Sequence, residues 1–483
     1  MSTFRAALRG VSWALAAQVI TGVGQIAYSA LTARVFSPFA FGEFTAALSL
    51  QGLISLCTAA GMSSFVVKEA HFRRAQLRAI NVVLFSVGSL GAAAYWFISP
   101  LWLAWLNSPG GIRFVPLLTW ATFVSPIASV QWALLRREGN GRADAMVYVS
   151  AFIVATGAAA VCAIHFRESW TLALGVAINP IIQILFSRVM RRAIYPDDGG
   201  RLSFDWLFFA IRVTGQSLVY FGLGQVPTWS LGASASPATL GEFSRGNTLA
   251  QLPAHALGTA MNIGAGPHWR KIETDESRIR GVSDALALGA SVSFTCFAAL
   301  AALSRPLTSL WLGPGWDLAA EFTVWLAIGF AISLATGVLA NYLEMAGGLS
   351  RVYLIQFANA VGLAFGVLLL LLLHDFRLLL AGFVLSHLLG LVTAVLQVSA
   401  ALGTRSRQLF KQLVAPLVSA IGVASVAYAV AYFVKVGTGG STNLSNAAQF
   451  CSGAFVAIIL VLLTRKWQPA FSILVARGVL KRA

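Results

Sequence analysis

The sequence predicts an all-α membrane protein of about fourteen transmembrane helices, arranged as two parallel six-helix repeats followed by two further helices. Three observations carry this reading. Of 483 residues, 58% are hydrophobic and only 11% are charged, whereas a soluble chain carries about a quarter charged residues. The apolar residues form continuous runs rather than the period-two alternation of a membrane barrel. A motif on the first hairpin returns 199 residues later.

A helix needs about 20 mostly apolar residues to cross about 30 Å of hydrocarbon. Fourteen stretches satisfy this: 11–34, 41–66, 80–106, 114–135, 145–166, 171–190, 206–231, 240–265, 284–304, 320–345, 352–373, 378–400, 413–436 and 446–464. The stretch at 240–265 is unusually polar. Basic residues orient the chain. With the N-terminus in the cytoplasm, 26 of the 34 Lys and Arg fall in cytoplasmic segments or at the span ends beside them, and six in outer hairpins or at the span ends beside those. A bias of that size places both termini in the cytoplasm. Most of the net charge of +17 is therefore a topology signal and a contact with anionic membrane lipids. It does not indicate nucleic acid, because no soluble basic domain accompanies it.

The repeat is legible on the hairpins. Ser37-Pro38-Phe39-Ala40-Phe41-Gly42-Glu43-Phe44-Thr45 reappears as Ser236-Pro237-Ala238-Thr239-Leu240-Gly241-Glu242-Phe243-Ser244. Upstream, Gly22-Val23-Gly24-Gln25 recurs as Gly222-Leu223-Gly224-Gln225. A weaker echo pairs residues 137–142 with 346–351. Three regions follow: an N-terminal six-helix half at 1–203, a C-terminal half at 204–403, and helices 13–14 with a basic cytoplasmic tail at 404–483. Parallel halves of this kind are a transporter architecture with its substrate between them. Pro38 and Pro237 suit the first position of a helix. Glu43 and Glu242 are expected in the first turn of spans 2 and 8, as caps on the helix dipole.

Polar groups at membrane depth mark candidate sites. Arg34 closes span 1, Arg212 lies about two turns into span 7, and Arg245 little more than a turn into span 8. Together they suit an anion, or simply snorkel to the nearer interface. Gln25, its equivalent Gln225, and Asn341 supply uncharged hydrogen-bonding groups suited to sugar hydroxyls. Glu344 and His255 are candidates for carrying a coupling proton, with His387 a third titratable group. No P-loop, metal-ligand spacing, hydrolytic cluster or large outer loop occurs, so no cofactor and no covalent chemistry are expected. The four cysteines sit in four different spans.

Leu31-Thr32-Ala33-Arg34-Val35-Phe36-Ser37-Pro38, followed by Phe41-Gly42-Glu43-Phe44, resembles the first-hairpin signature of bacterial polysaccharide flippases. These belong to the multidrug/oligosaccharidyl-lipid/polysaccharide exporter superfamily. Leu240-Gly241-Glu242-Phe243, Leu252-Pro253, Gly266-Pro267 and the Arg137–Gly139 loop are similar to the same family's patterns, and the likeness runs over about residues 10–400. The resemblance implies a V-shaped exporter bundle in the bacterial inner membrane. Its substrate would be a lipid-linked oligosaccharide, the repeat unit of O-antigen, capsule or exopolysaccharide. The carrier would be undecaprenyl pyrophosphate, with polysaccharide polymerase and export machinery as partners. Of the three arginines, only Arg34 lies in a matching motif. Two rival readings are a drug or cation antiporter of the same superfamily, which calls for acids deep in spans 1 or 7, and a membrane glycosyltransferase or ligase, which calls for a large outer loop.

Overall fold

The computed structural model describes residues 2–68, 74–191, 205–269, 275–438 and 443–463. Among these, the chain forms fifteen α-helices and one 3₁₀ turn, in the order α1 (Ser2–Val35), α2 (Pro38–Lys68), α3 (Arg74–Trp105), the turn (Pro109–Phe114), α4 (Val115–Arg137), α5 (Gly141–Phe166), α6 (Thr171–Met190), α7 (Asp205–Ser234) and α8 (Pro237–Trp269). There follow α9 (Asp275–Ala302), α10 (Ser304–Leu312), α11 (Asp317–Met345), α12 (Leu349–Leu373), α13 (Phe376–Leu402), α14 (Ser406–Gly437) and α15 (Asn443–Leu463). Each stretch read from the sequence falls on one long helix, to within a residue or two at its ends. Twelve of these helices, α1–α6, α9 and α11–α15, are long and apolar enough to cross a membrane. The chain is thus a multi-pass membrane protein; α7 and the polar α8 stand outside the twelve.

The helix ends follow local chemistry. Pro38 and Pro237 open α2 and α8, where a missing N–H costs nothing. Ser236 caps α8, its Oγ accepting from Thr239 N at 3.2 Å. Asn140 and Asp375 cap α5 and α13 through Ala143 N at 3.2 Å and Arg377 N at 2.9 Å, each satisfying an orphan donor. The 3₁₀ turn and α10, unforeseen in the sequence, occupy matching places, after α3 and after α9.

The chain divides into two compact units, Met1–Gly241 and Glu242–Ala483. In the first, α2 packs against α3, α4 and α7, while α5 and α6 pair with each other and α4 lies on α6. In the second, α9 packs on α11, α11 on α13, and α12 on α13. The pairings α3–α4, α4–α6 and α5–α6 have counterparts in α9–α11, α11–α13 and α12–α13. The extra helices attach to the second unit: α14 lies along α9, and α15 along α14 and α10. The 203/204 boundary and the basic tail from 464 onward lie outside the described residues.

Helices in lipid gain little by burying apolar surface against one another, so close approach through small residues matters more. The α12–α13 seam shows this. A Cβ on Gly366 would meet Gly382 Cα at 2.7 Å, and one on Gly362 would meet Ser386 Cα at 2.5 Å. Outward, large apolar side chains such as Leu90, Phe97 and Leu101 of α3 stay exposed, as a lipid-facing surface should. In the first unit, basic residues at the loop end of the helices stack on rings: Lys68 over Phe209 at 4.6 Å, Arg136 over Trp132 at 3.8 Å and Arg142 over Trp13 at 5.6 Å. Such pairs place a charge at the membrane–water interface with its stem in the apolar layer.

The seam yields a test. Gly382→Val should lower the melting temperature of the detergent-solubilised protein, the overpacking costing about 1–3 kcal/mol. Gly337→Ala, in the interior of α11 where a Cβ meets nothing within 4 Å, should raise stability by about 0.5–1 kcal/mol. Equal melting of the two variants would contradict the seam.

Candidate functional site

The repeated hairpin motif builds the same device in each unit. Glu43 lies in the second turn of α2 and is 2% exposed. It accepts the backbone N–H of Gly110, and its Oε2 is 3.1 Å from Arg113 Nη2. Arg113 is held in turn by Gly110 O at 2.7 Å and Ser169 Oγ at 3.0 Å. Glu242, in the second turn of α8 and 9% exposed, accepts from Ala319 N at 2.9 Å and from Leu318 N. Leu318 and Ala319 are in the first turn of α11, where backbone donors have no partner within the helix. This corrects the expectation from sequence. Both acids serve helix N-terminal donors, but not their own helix's: each reaches across to the segment that opens a later one.

The neighbouring glycines make room for backbone contact. In the first unit, Gly42 lies against the carbonyl of Pro237, and Gly241 lies against the carbonyl of Pro38. The contact is reciprocal, and any Cβ at either position would strike backbone. The α7–α8 turn is further held to the end of α3, where Asn107 Nδ2 donates to Ala233 O at 2.9 Å and Leu106 covers Gly232.

Polar side chains are ordered by helix face. On α1, Gln18, Thr21, Gln25, Tyr28 and Thr32 recur at three- and four-residue spacing and so share one side. Thr21 and Thr32 are buried, and their hydroxyls bond back to Ala17 O at 2.9 Å and Tyr28 O at 2.8 Å. Val19, Val23 and Ile26 form the opposite, exposed side. On α8, Ala254, Leu257 and Met261 pack against the core made by α9 and α11, and Gly246 sits on α11, a Cβ there meeting Ala319 O at 2.8 Å. Ser244, Thr248, Gln251, His255 and Thr259 occupy the other side. Within that side, Gln251 Nε2 donates to Asn247 Oδ1 at 3.2 Å and Thr248 Oγ1 to Ser244 O at 2.8 Å.

The residues singled out from the sequence fall on several different surfaces. Gln25 lies on the polar side of α1, half-buried. Arg34, nine residues further on, is turned about 180° from it, exposed among the apolar residues, with Nη1 donating to Ala30 O at 3.0 Å. Arg212 shares the exposed side of α7 with Phe208, Ile211 and Val219, while Gln225 lies on another side, half-buried. Arg245 is 8% exposed and donates from Nη2 to Ser244 Oγ at 3.2 Å. Asn341 is half-buried near the end of α11, and Glu344 is exposed at that end. His255 is exposed on the polar side of α8. Asn247, Thr248 and Gln251 were not singled out from the sequence, although their spacing with Ser244 and His255 was there to be read.

This architecture defines a class of transporter fold. The lipid II flippase MurJ, in its inward closed conformation, superimposes with a TM-score of 0.69 at 10% identity, over 95% of this chain and 99% of that one. The eukaryotic MATE transporter AtDTX14 matches with a TM-score of 0.57 at 13% identity, over 86% and 99%. The Vibrio cholerae MATE transporter VcmN, as a point mutant, matches with the same TM-score and identity, over 84% and 98%. No curated protein matches the sequence. Residues 31–321 match the family described as polysaccharide biosynthesis protein, and the chain belongs to that family.

The hairpin acids give the second test. Glu43→Ala and Glu242→Ala each strand buried backbone donors, so each should destabilise the protein by about 1–3 kcal/mol. Glu43→Gln and Glu242→Gln keep an accepting oxygen and should lose less. Thermal melting of the purified variants checks this; unchanged melting of both alanine variants would contradict the cross-helix cap.

Proposed function

We propose that the protein is a flippase that carries a lipid-linked oligosaccharide from the cytoplasmic to the outer leaflet of the bacterial inner membrane by alternating access. The polar side of α8 is the observation that carries this reading. Five hydrogen-bonding side chains run along a helix whose other side is packed into the core of its unit. Facing hydrocarbon, those groups would be costly to leave unsatisfied. They suit a hydrated path for a polar head-group, with the lipid tail remaining in the bilayer. The membership in a polysaccharide biosynthesis family supports a saccharide as that head-group, and the fold shared with MurJ supports a lipid-linked one.

In this reading Arg34, Arg212 and Arg245 meet the pyrophosphate of an undecaprenyl pyrophosphate carrier, and Gln25, Gln225 and Asn341 meet sugar hydroxyls. Glu344 or His255 carries a coupling proton. The repeat halves are 1–203 and 204–403, with 404–483 appended. Both termini are cytoplasmic, which the ring-stacked Lys68, Arg136 and Arg142 at one end of the helices support. No bond is made or broken in the transfer, and polymerase and export machinery receive the product. Against a cation antiporter stands the sequence of α1, which contains no Asp or Glu, and of α7, whose only acid is Asp205 at its first residue.

The test is reconstitution in liposomes with a fluorescent undecaprenyl-pyrophosphate-linked oligosaccharide, scored by its protection from an impermeant quencher. The protein should move it between leaflets. Arg245→Ala and Arg212→Ala should slow the transfer about tenfold or more, the effect of losing about 1.4 kcal/mol of binding. Wild-type rates in both variants would remove the arginines from the anion site, and no transfer by the wild-type protein would remove the function.

A further inference from the structure

We propose that the polar side of α8 selects uncharged sugars, so that the oligosaccharide is neutral at the residues this face contacts and carries no uronic or sialic acid there. The inference rests on the flippase reading above and narrows its substrate class. Ser244, Asn247, Thr248, Gln251 and Thr259 are all neutral, and each can both donate and accept. The amide pair Asn247–Gln251, joined at 3.2 Å, lies at the middle of the stretch from Ser244 to Thr259. Its outward donors and acceptors match hydroxyl and acetamido groups, which also offer both.

A carboxylate makes a different demand. Taken from water, it needs a cation or several donors directed at it. On the described part of α8 the one Lys or Arg is Arg245, which is 8% exposed and which the flippase reading commits to the pyrophosphate. A cationic head-group fares no better, because the polar side of α8 carries no acid among the described residues: Glu242 is held by the N-terminus of α11 at 2.9 Å.

The experiment compares two substrates in the same liposome assay. Both are undecaprenyl-pyrophosphate oligosaccharides of equal length, one of neutral hexose and N-acetylhexosamine, the other with one residue replaced by a uronic acid. The wild-type protein should transfer the neutral substrate at least tenfold faster. Gln251→Leu should slow neutral transfer about tenfold while the purified variant melts as the wild type does. Gln251→Arg should shift the ratio towards the uronate. Equal or faster transfer of the uronate by the wild-type protein would overturn the inference and leave the flippase standing. Transfer of neither substrate would overturn the flippase reading, and the selectivity with it.

Discussion

Hydrocarbon offers no hydrogen bonds, so every polar group at membrane depth must find a partner in the protein or face water. Much of the architecture follows from that constraint. Thr21 and Thr32 turn their hydroxyls back onto the carbonyls of α1. Glu43 and Glu242 are buried and commit their oxygens to backbone donors that the 3₁₀ turn and α11 leave over. On α8 the polar side lies away from the packed side, with Thr248 bonded back to Ser244 O and Gln251 to Asn247; in the proposed reading their remaining hydrogen-bonding capacity meets the head-group.

The hairpin motif joins three requirements in a few residues. Proline opens the helix where no N–H is needed, glycine lets backbone lie on backbone, and glutamate closes the donors of another segment. Gly42 on Pro237 and Gly241 on Pro38 show why the glycine and the proline travel together in both copies. The acid, at the position after the glycine, points to the segment that opens a later helix and satisfies donors there. The proline, the glycine and the glutamate of the motif thus each have a contact of their own. That coupling gives both copies of the motif a structural role.

Much of the fold was legible in the sequence, because membrane-crossing length is a one-dimensional signal. The long helices and their order came from that signal, and the proline starts from the hairpin motif. The partners of Glu43 and Glu242 did not, since Ala319 is 77 residues from Glu242 and no local pattern encodes that distance. The 3₁₀ turn and α10 were missed because they are too short to register in a window of span length. Averaging apolarity along a helix also discards the angle around it. An average gives no angle to Arg34 and Gln25, or to Thr248 and Leu257, yet the members of each pair lie on opposite sides of their helix. The three- and four-residue spacing of the polar positions held that information.

The central claim is that the side of α8 bearing Ser244, Thr248, Gln251, His255 and Thr259 faces water during transport. Single cysteines placed at residues 244–259 in a background lacking Cys57, Cys162, Cys296 and Cys451 test it most directly, read by reaction with an impermeant maleimide in intact cells and in inside-out vesicles. The account predicts labelling at 244, 248, 251, 255 and 259 from at least one side, and protection at 246, 250, 254 and 257, with the helical period of 3.6 residues. Labelling without that period, or protection of the polar positions from both sides, would contradict it.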